Sequence, residues 1–237
     1  TGVQTCALPI LALGLTAFVL TAPLRDEVHF TALSLAEAKK LAAEIHREHP
    51  LTIYCGCRYV GKRIDLASCG YRPQRDMKRA SRLEWEHVVP AENFGRAFEE
   101  WREGGAACVR KDGRRFKGRK CAETNSDFAR MEGDLYNLWP EVGELNGLRN
   151  NYSMEALGGP EKQPGGISFG GCRAVVAGRK FEPMDQAKGI VARVYLYMDQ
   201  AYPGKGIISG KNRKLFDAWD KIDRKSTRLN SSHGYIS

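Results

Sequence analysis

The chain has 237 residues, enough for one substantial domain or two small ones around a proper core. Hydrophobic residues make up 42% and charged residues 27%, ordinary for a soluble globular protein, and no internal repeat or low-complexity tract occurs, which excludes fibrous and repeat architectures. Lys and Arg number 37 against 28 Asp and Glu, and the resulting net charge of +9 suits a polyanionic partner, nucleic acid or anionic membrane, without choosing between them.

Thr1 to Ile10, TGVQTCALPI, resembles a translated sequencing adapter, and so does Asp223 to Ser237, DRKSTRLNSSHGYIS. Setting both aside removes Cys6, three basic residues and one acid, which leaves 34 basic against 27 acidic residues, a charge of +7. Ile10 to Ala22, ILALGLTAFVLTA, is apolar but too short for a spanning helix, which needs about 20 residues. It fits the apolar part of a secretory signal cleaved near Ala22, with a buried helix as the alternative. Residues 1–22 thus read as adapter-like residues plus a truncated signal, 23–222 as the folded domain, and 223–237 as a non-native tail.

Ser34 to Glu48 is predicted to be a helix. Ser34 can cap, Glu37 stands three residues on, and Leu35, Ala38, Leu41, Ala42 and Ile45 share one face. Thr52 to Tyr54 and Arg58 to Ile64 read as short strands around Cys55-Gly56-Cys57. Leu83 to Val89 reads as a strand ending at Pro90. Phe128 to Leu138 reads as a helix, with Pro140 ending it or opening the next one. Asn146 to Asn151 reads as a polar loop, and Gly158 to Gly171 as a glycine-rich one. A helix is predicted from Met184 through Val191 to Met198, and Phe216 to Trp219 falls in a last short helix. The mixture predicts an α+β fold in a single mixed domain.

Six cysteines remain: Cys55, Cys57, Cys69, Cys108, Cys121 and Cys172. In an exported chain they read as three disulfides, and six cysteines allow fifteen connectivities. Cys108 and Cys121 flank one compact loop, which favours that pair; the others stay open. Zinc is the rival use, and Cys-Gly-Cys has the wrong spacing for the usual knuckle.

Four features carry chemistry. In Glu86-His87, the histidine can take a proton from water near neutral pH and the glutamate can hold a hard cation. In Asp134-Leu135-Tyr136-Asn137, the asparagine offers a carbonyl oxygen. Glu86, Asn137, waters and a substrate phosphate would form an octahedral Mg²⁺ site with few protein ligands, for which Ca²⁺ and Mn²⁺ are candidate substitutes. CVRKDGRRFKGRKC, Cys108 to Cys121, holds Arg110, Lys111, Arg114, Arg115, Lys117, Arg119 and Lys120, a basic loop suited to phosphate backbones. Arg149 follows soon after Asn137. Each feature has an ordinary alternative: a structural pair on opposite faces of a sheet, a helix-terminal amide, a solvated charged face, and a lone surface arginine. Alternation makes the first of these a structural question. Glu86 and His87 can serve one site only if the chain leaves regular strand geometry near His87.

EWEHVVPAENFG, then WREGG, then MEGDLYNLWPEVGELNGLRNNY resemble the endonuclease I family of periplasmic and secreted bacterial nucleases. YCGCRY and DLASCGY match the same family's cysteine-bearing segments. The resemblance runs from about Leu51 to Tyr152 and more loosely to Cys172. It implies a ββα-metal (His-Me finger) nuclease, disulfide-stabilised and periplasmic or secreted. His87 would be the general base, and Glu86 and Asn137 would hold the metal. The substrate would be DNA, often RNA too, cut with little sequence preference to 5′-phosphates. A monomer with no stable membrane association after signal cleavage is expected. One departure stands out: where the family often carries a phosphate-steadying arginine, this chain has Ala106. Arg102, Arg110 and Arg149 are the candidate substitutes, with Lys111 beside Arg110. The competing class is a non-catalytic secreted polyanion-binding module. A zinc peptidase is disfavoured because no His-Glu-x-x-His run occurs.

Overall fold

The computed structural model describes residues 33–233, with side chains described as far as Asp223. The apolar run 10–22 lies outside the described residues. Helix α1, Leu35–Ile45, starts as predicted, with Ser34 and Glu37 forming a reciprocal capping box. Ala38 and Ala42 turn inward, but Leu41 and Ile45 are 43% and 60% exposed, so its apolar face is narrower than the spacing predicts. Thr52 to Tyr54 is a turn, not a strand. Thr52 closes the loop on itself: its carbonyl accepts from the Gly56 N–H, and its hydroxyl from the Cys57 N–H. Gly56 supplies the left-handed backbone this needs, at φ 62°.

Strands β1, Arg58–Val60, and β2, Arg63–Asp65, form a hairpin. Short helix α2, Met77–Ala80, leads into β3, Leu83–His87. Helices α3, Ala91–Gly95, and α4, Glu99–Arg102, precede the basic loop. Helices α5, Arg119–Ala122, and α6, Ser126–Glu132, follow it.

The predicted helix 128–138 breaks at Gly133. Asp134 then caps a single tight turn, Leu135–Asn137, by accepting from the Tyr136 N–H. Strand β4, Leu138–Val142, follows and pairs antiparallel with β3, from Leu83↔Val142 to His87↔Leu138. Pro140 therefore sits within a strand, opposite Trp85, and its carbonyl accepts from the Ile53 N–H. The predicted polar loop at Asn146 to Asn151 is largely helix α7, Gly143–Arg149. Thus β3, β4 and α7 form a β-β-α unit.

A four-stranded sheet, unforeseen in the sequence, packs behind. Its strands are β5, Ser153–Met154; β6, Ile167–Phe169; β7, Cys172–Ala177; and β8, Lys180–Glu182, ordered β5-β8-β7-β6. Only β5 and β8 run parallel. Tyr54 meets Phe181 edge-on at 4.8 Å, joining this sheet to the β3–β4 side. Helix α8, Asp185–Ala201, forms as expected and packs on α9, Gly210–His233, with Tyr195 stacked on Phe216.

The cysteines pair as Cys55–Cys172, Cys57–Cys69 and Cys108–Cys121. The loop pairing is thus as expected, and no thiolate of these six remains for zinc. The first bridge ties the Thr52 turn to β7 across 117 residues, where constraint of the unfolded chain is greatest.

Candidate active site

The strand ends at His87, where sharing one site would require it to end. His87 makes the last β3–β4 pair, and Val88 to Pro90 bends away before α3. Glu86 and His87 consequently line one cavity of about 500 Å³, together with Trp101, Arg119, Asn146 and Arg149. Both are nearly sealed, at 3% and 8% exposed.

The His87 Nε2 lies 2.8 Å from the Glu132 carbonyl oxygen. A carbonyl can only accept, so Nε2 carries the proton and Nδ1 keeps its lone pair. Among the described residues Nδ1 has no hydrogen-bond partner. Among the described residues the one fully buried side-chain polar atom without a partner is Arg149 Nε, so Nδ1 still reaches solvent. Burial pushes the imidazole pKa down to about 4, helped by the positive charges of Arg119, Lys39 and Arg149. His87 is therefore neutral at pH 7.

Glu86 is held from two sides. Its Oε1 accepts from the Tyr54 hydroxyl at 2.7 Å and lies 3.0 Å from Arg149 Nη1. Burial pushes this carboxyl up from its ordinary value, opposed by Arg149 and Tyr54. Among the described residues no hydrogen bond reaches Oε2.

Arg149 was a candidate for phosphate contact, and the structure corrects this. It is 1% exposed. Its guanidinium donates to the backbone carbonyls of His87 at 3.1 Å and Val88 at 2.6 Å, as well as pairing with Glu86. It holds the bend after β3 in place.

Asn137 is also corrected. It is fully buried, and its amide makes a two-point clamp on Val89: Oδ1 accepts from the Val89 N–H at 2.7 Å and Nδ2 donates to the Val89 carbonyl at 3.0 Å. Its oxygen is committed to backbone, and it does not line the cavity. Asn146, on α7, does line it, as do Asn150 and Asn151 just beyond that helix. The Asn146 Nδ2 donates to Glu84 Oε2 at 3.2 Å, and among the described residues no hydrogen bond reaches its Oδ1. The spacing G-E-L-N one helical turn beyond β4 was the signal for it, hidden because that stretch read as loop.

Among the described residues no group of three or more His, Cys, Asp or Glu could hold a metal. A carboxylate oxygen and an amide oxygen facing one open cavity do fit a cation that keeps most of its waters, as Mg²⁺ does.

Arg102 and the loop residues Arg110 and Lys111 are exposed and do not line the cavity; Arg102 donates to the Arg96 carbonyl at 2.7 Å. Ala106 is exposed and outside it too. The loop residue that reaches the cavity is Arg119, at the start of α5, bonded to the Glu132 carboxylate. One residue thus links the positive charge to the strand of chain that orients His87, since Glu132 supplies both the carboxylate and the carbonyl.

The Endonuclease I family matches over residues 24–226. A periplasmic deoxyribonuclease of Aeromonas hydrophila is 38% identical over 225 residues, 92% of this chain and 85% of its own. An extracellular deoxyribonuclease of the same species is 40% identical over 80% of this chain and 78% of its own. Endonuclease-1 of Buchnera aphidicola from Acyrthosiphon pisum is 36% identical over 78% of this chain and 69% of its own.

Proposed function

The chain belongs to the endonuclease I family, and from that premise we propose that it is a metal-dependent endonuclease of low sequence preference, hydrolysing DNA, with RNA as a second substrate, to 5′-phosphates. The observation that carries the reading is the unpartnered Nδ1 of a neutral His87, opening on the same cavity as the Glu86 carboxylate. Nδ1 takes a proton from water, and the oxygen so activated attacks phosphorus in line as the bond to the 3′-oxygen breaks. The 3′-oxygen takes its proton from solvent. The Glu132 carbonyl keeps the imidazole in the productive tautomer throughout. Arg119 balances charge on the phosphate, the role left open at Ala106. Glu86 Oε2 and Asn146 Oδ1 would hold the divalent cation, which when bound supplies charge stabilisation at the phosphate oxygens.

Low sequence preference follows from contacts that position a backbone without reading bases. Three disulfides suit an oxidising compartment, and the names of the Aeromonas relatives agree with a periplasmic or secreted location. No helix among the described residues is long and apolar enough to cross a membrane. The test is supercoiled plasmid incubated with the protein and Mg²⁺, then with EDTA. Nicking abolished by EDTA is expected; a mobility shift without nicking would leave only a polyanion-binding module.

A further inference from the structure

A second cavity lies beside the candidate active site. It encloses about 1020 Å³ between α1 and the β1–β2 hairpin, floored by β3. Trp85 and Asn146 line both cavities, so the two adjoin.

Its walls carry five cations, Lys39, Lys40, Arg47, Lys62 and Arg82, against a single acid, Glu84. Glu84 is already neutralised by Arg79 and Arg82. Lys39, Lys40 and Lys62 form no salt bridge among the described residues, so their charge is available. Lys39 stands near enough to contribute to the charge felt at His87. Between the cations lie apolar surfaces: the rings of Tyr59 and Trp85, and Val60, which is 86% exposed at the tip of the hairpin. Cationic walls with interleaved aromatic faces match the chemistry of an unpaired polynucleotide strand, whose phosphates seek charge and whose bases offer ring faces. A duplex hides those faces in its own stack.

We propose that this groove is a single-strand subsite, which holds unpaired DNA flanking the phosphate that is cut. The proposal rests on reading the adjoining cavity as a nuclease centre, and its test separates the two.

Binding is read by fluorescence anisotropy in EDTA, where no cleavage is needed, with a single-stranded oligonucleotide of about 12 nucleotides and a blunt duplex of the same sequence. Tyr59→Ala is expected to weaken single-strand binding about tenfold and leave the duplex unchanged, while Tyr59→Phe retains wild-type binding. Lys40→Gln with Lys62→Gln should lower the slope of log affinity against log salt for the single strand by about 1.4. Thermal midpoints confirm that each variant folds. Unchanged single-strand affinity, or equal losses on duplex and single strand, overturns the subsite. Cleavage of a dinucleotide too short to span the groove, in Mg²⁺, tests the nuclease centre alone; the Tyr59 and lysine variants should match wild type there.

Discussion

The β3–β4–α7 unit and the loop closed by Cys108 and Cys121 both carry many polar residues, and they hold them in opposite ways. In the first, taken with the turn that leads into β4, Glu86, His87, Asn137, Glu141 and Arg149 are all at least 92% buried, and most of their polar atoms are tied to a backbone group or another side chain. In the second, Arg110, Lys111, Arg114, Arg115, Lys117, Arg119 and Lys120 are all exposed, and the disulfide does the ordering. Burying charge is costly unless it is paired and hydrogen-bonded, so the first region must be rigid to exist at all. The second costs little and can adapt its side chains to a backbone that carries no fixed shape. The lesson is that the two regions sit in different solvents: a dry frame orients His87, and wet cations stand free to meet a polyanion.

Substitutions should expose that division. The largest effect on stability is expected from Arg149→Ala. It leaves Glu86 buried without its partner and frees the carbonyls of His87 and Val88, so about 3–5 kcal/mol should be lost in urea melts. A loss below 1 kcal/mol would mean the frame does not depend on it. Next come the two asparagines. Asn137→Ala strands the Val89 N–H and carbonyl and should cost about 2–4 kcal/mol, with the Mg²⁺ concentration for half-maximal rate unchanged in the folded fraction. Asn146→Ala should barely move the melting point and raise that Mg²⁺ concentration about tenfold or more. The reverse pattern would restore Asn137 as the ligand. Smaller still, Arg110→Ala with Lys111→Ala should stay within about 0.5 kcal/mol of wild-type stability and reduce the salt slope for duplex DNA by about 1.8.

The pH profile adds a sign. Burial lowers the His87 pKa to about 4, so the neutral base persists as pH falls from 7 and is lost only as pH passes through about 4. A rate governed by His87 should therefore hold between pH 6.5 and 5, whereas an ordinary histidine would already be failing there.

The division also explains what the sequence disclosed. The capping box at Ser34 and Glu37, the long helix through Val191, and the cysteine-flanked basic loop are local signals and were legible. So was the end of the strand at His87. Strand β4 was not, because Leu138-Trp139-Pro140-Glu141-Val142 follows a helical run and contains a proline. Its strand state comes from pairing with β3, a long-range contact that no local pattern records. The same blindness exchanged the asparagines. Asn137 read as the end of a helix and Asn146 as the start of a polar loop, and only tertiary placement shows that one clamps Val89 while the other opens on the cavity. Arg149 misled for the same reason, since arginine in a sequence suggests surface, and here Glu86 and two carbonyls make burial affordable.

The most direct measurement is plasmid cleavage by His87→Ala, alongside its affinity for DNA and its melting point. The account predicts that kcat falls by about 10²- to 10⁴-fold while DNA affinity stays at the wild-type value. Turnover near wild type in the folded variant would contradict it.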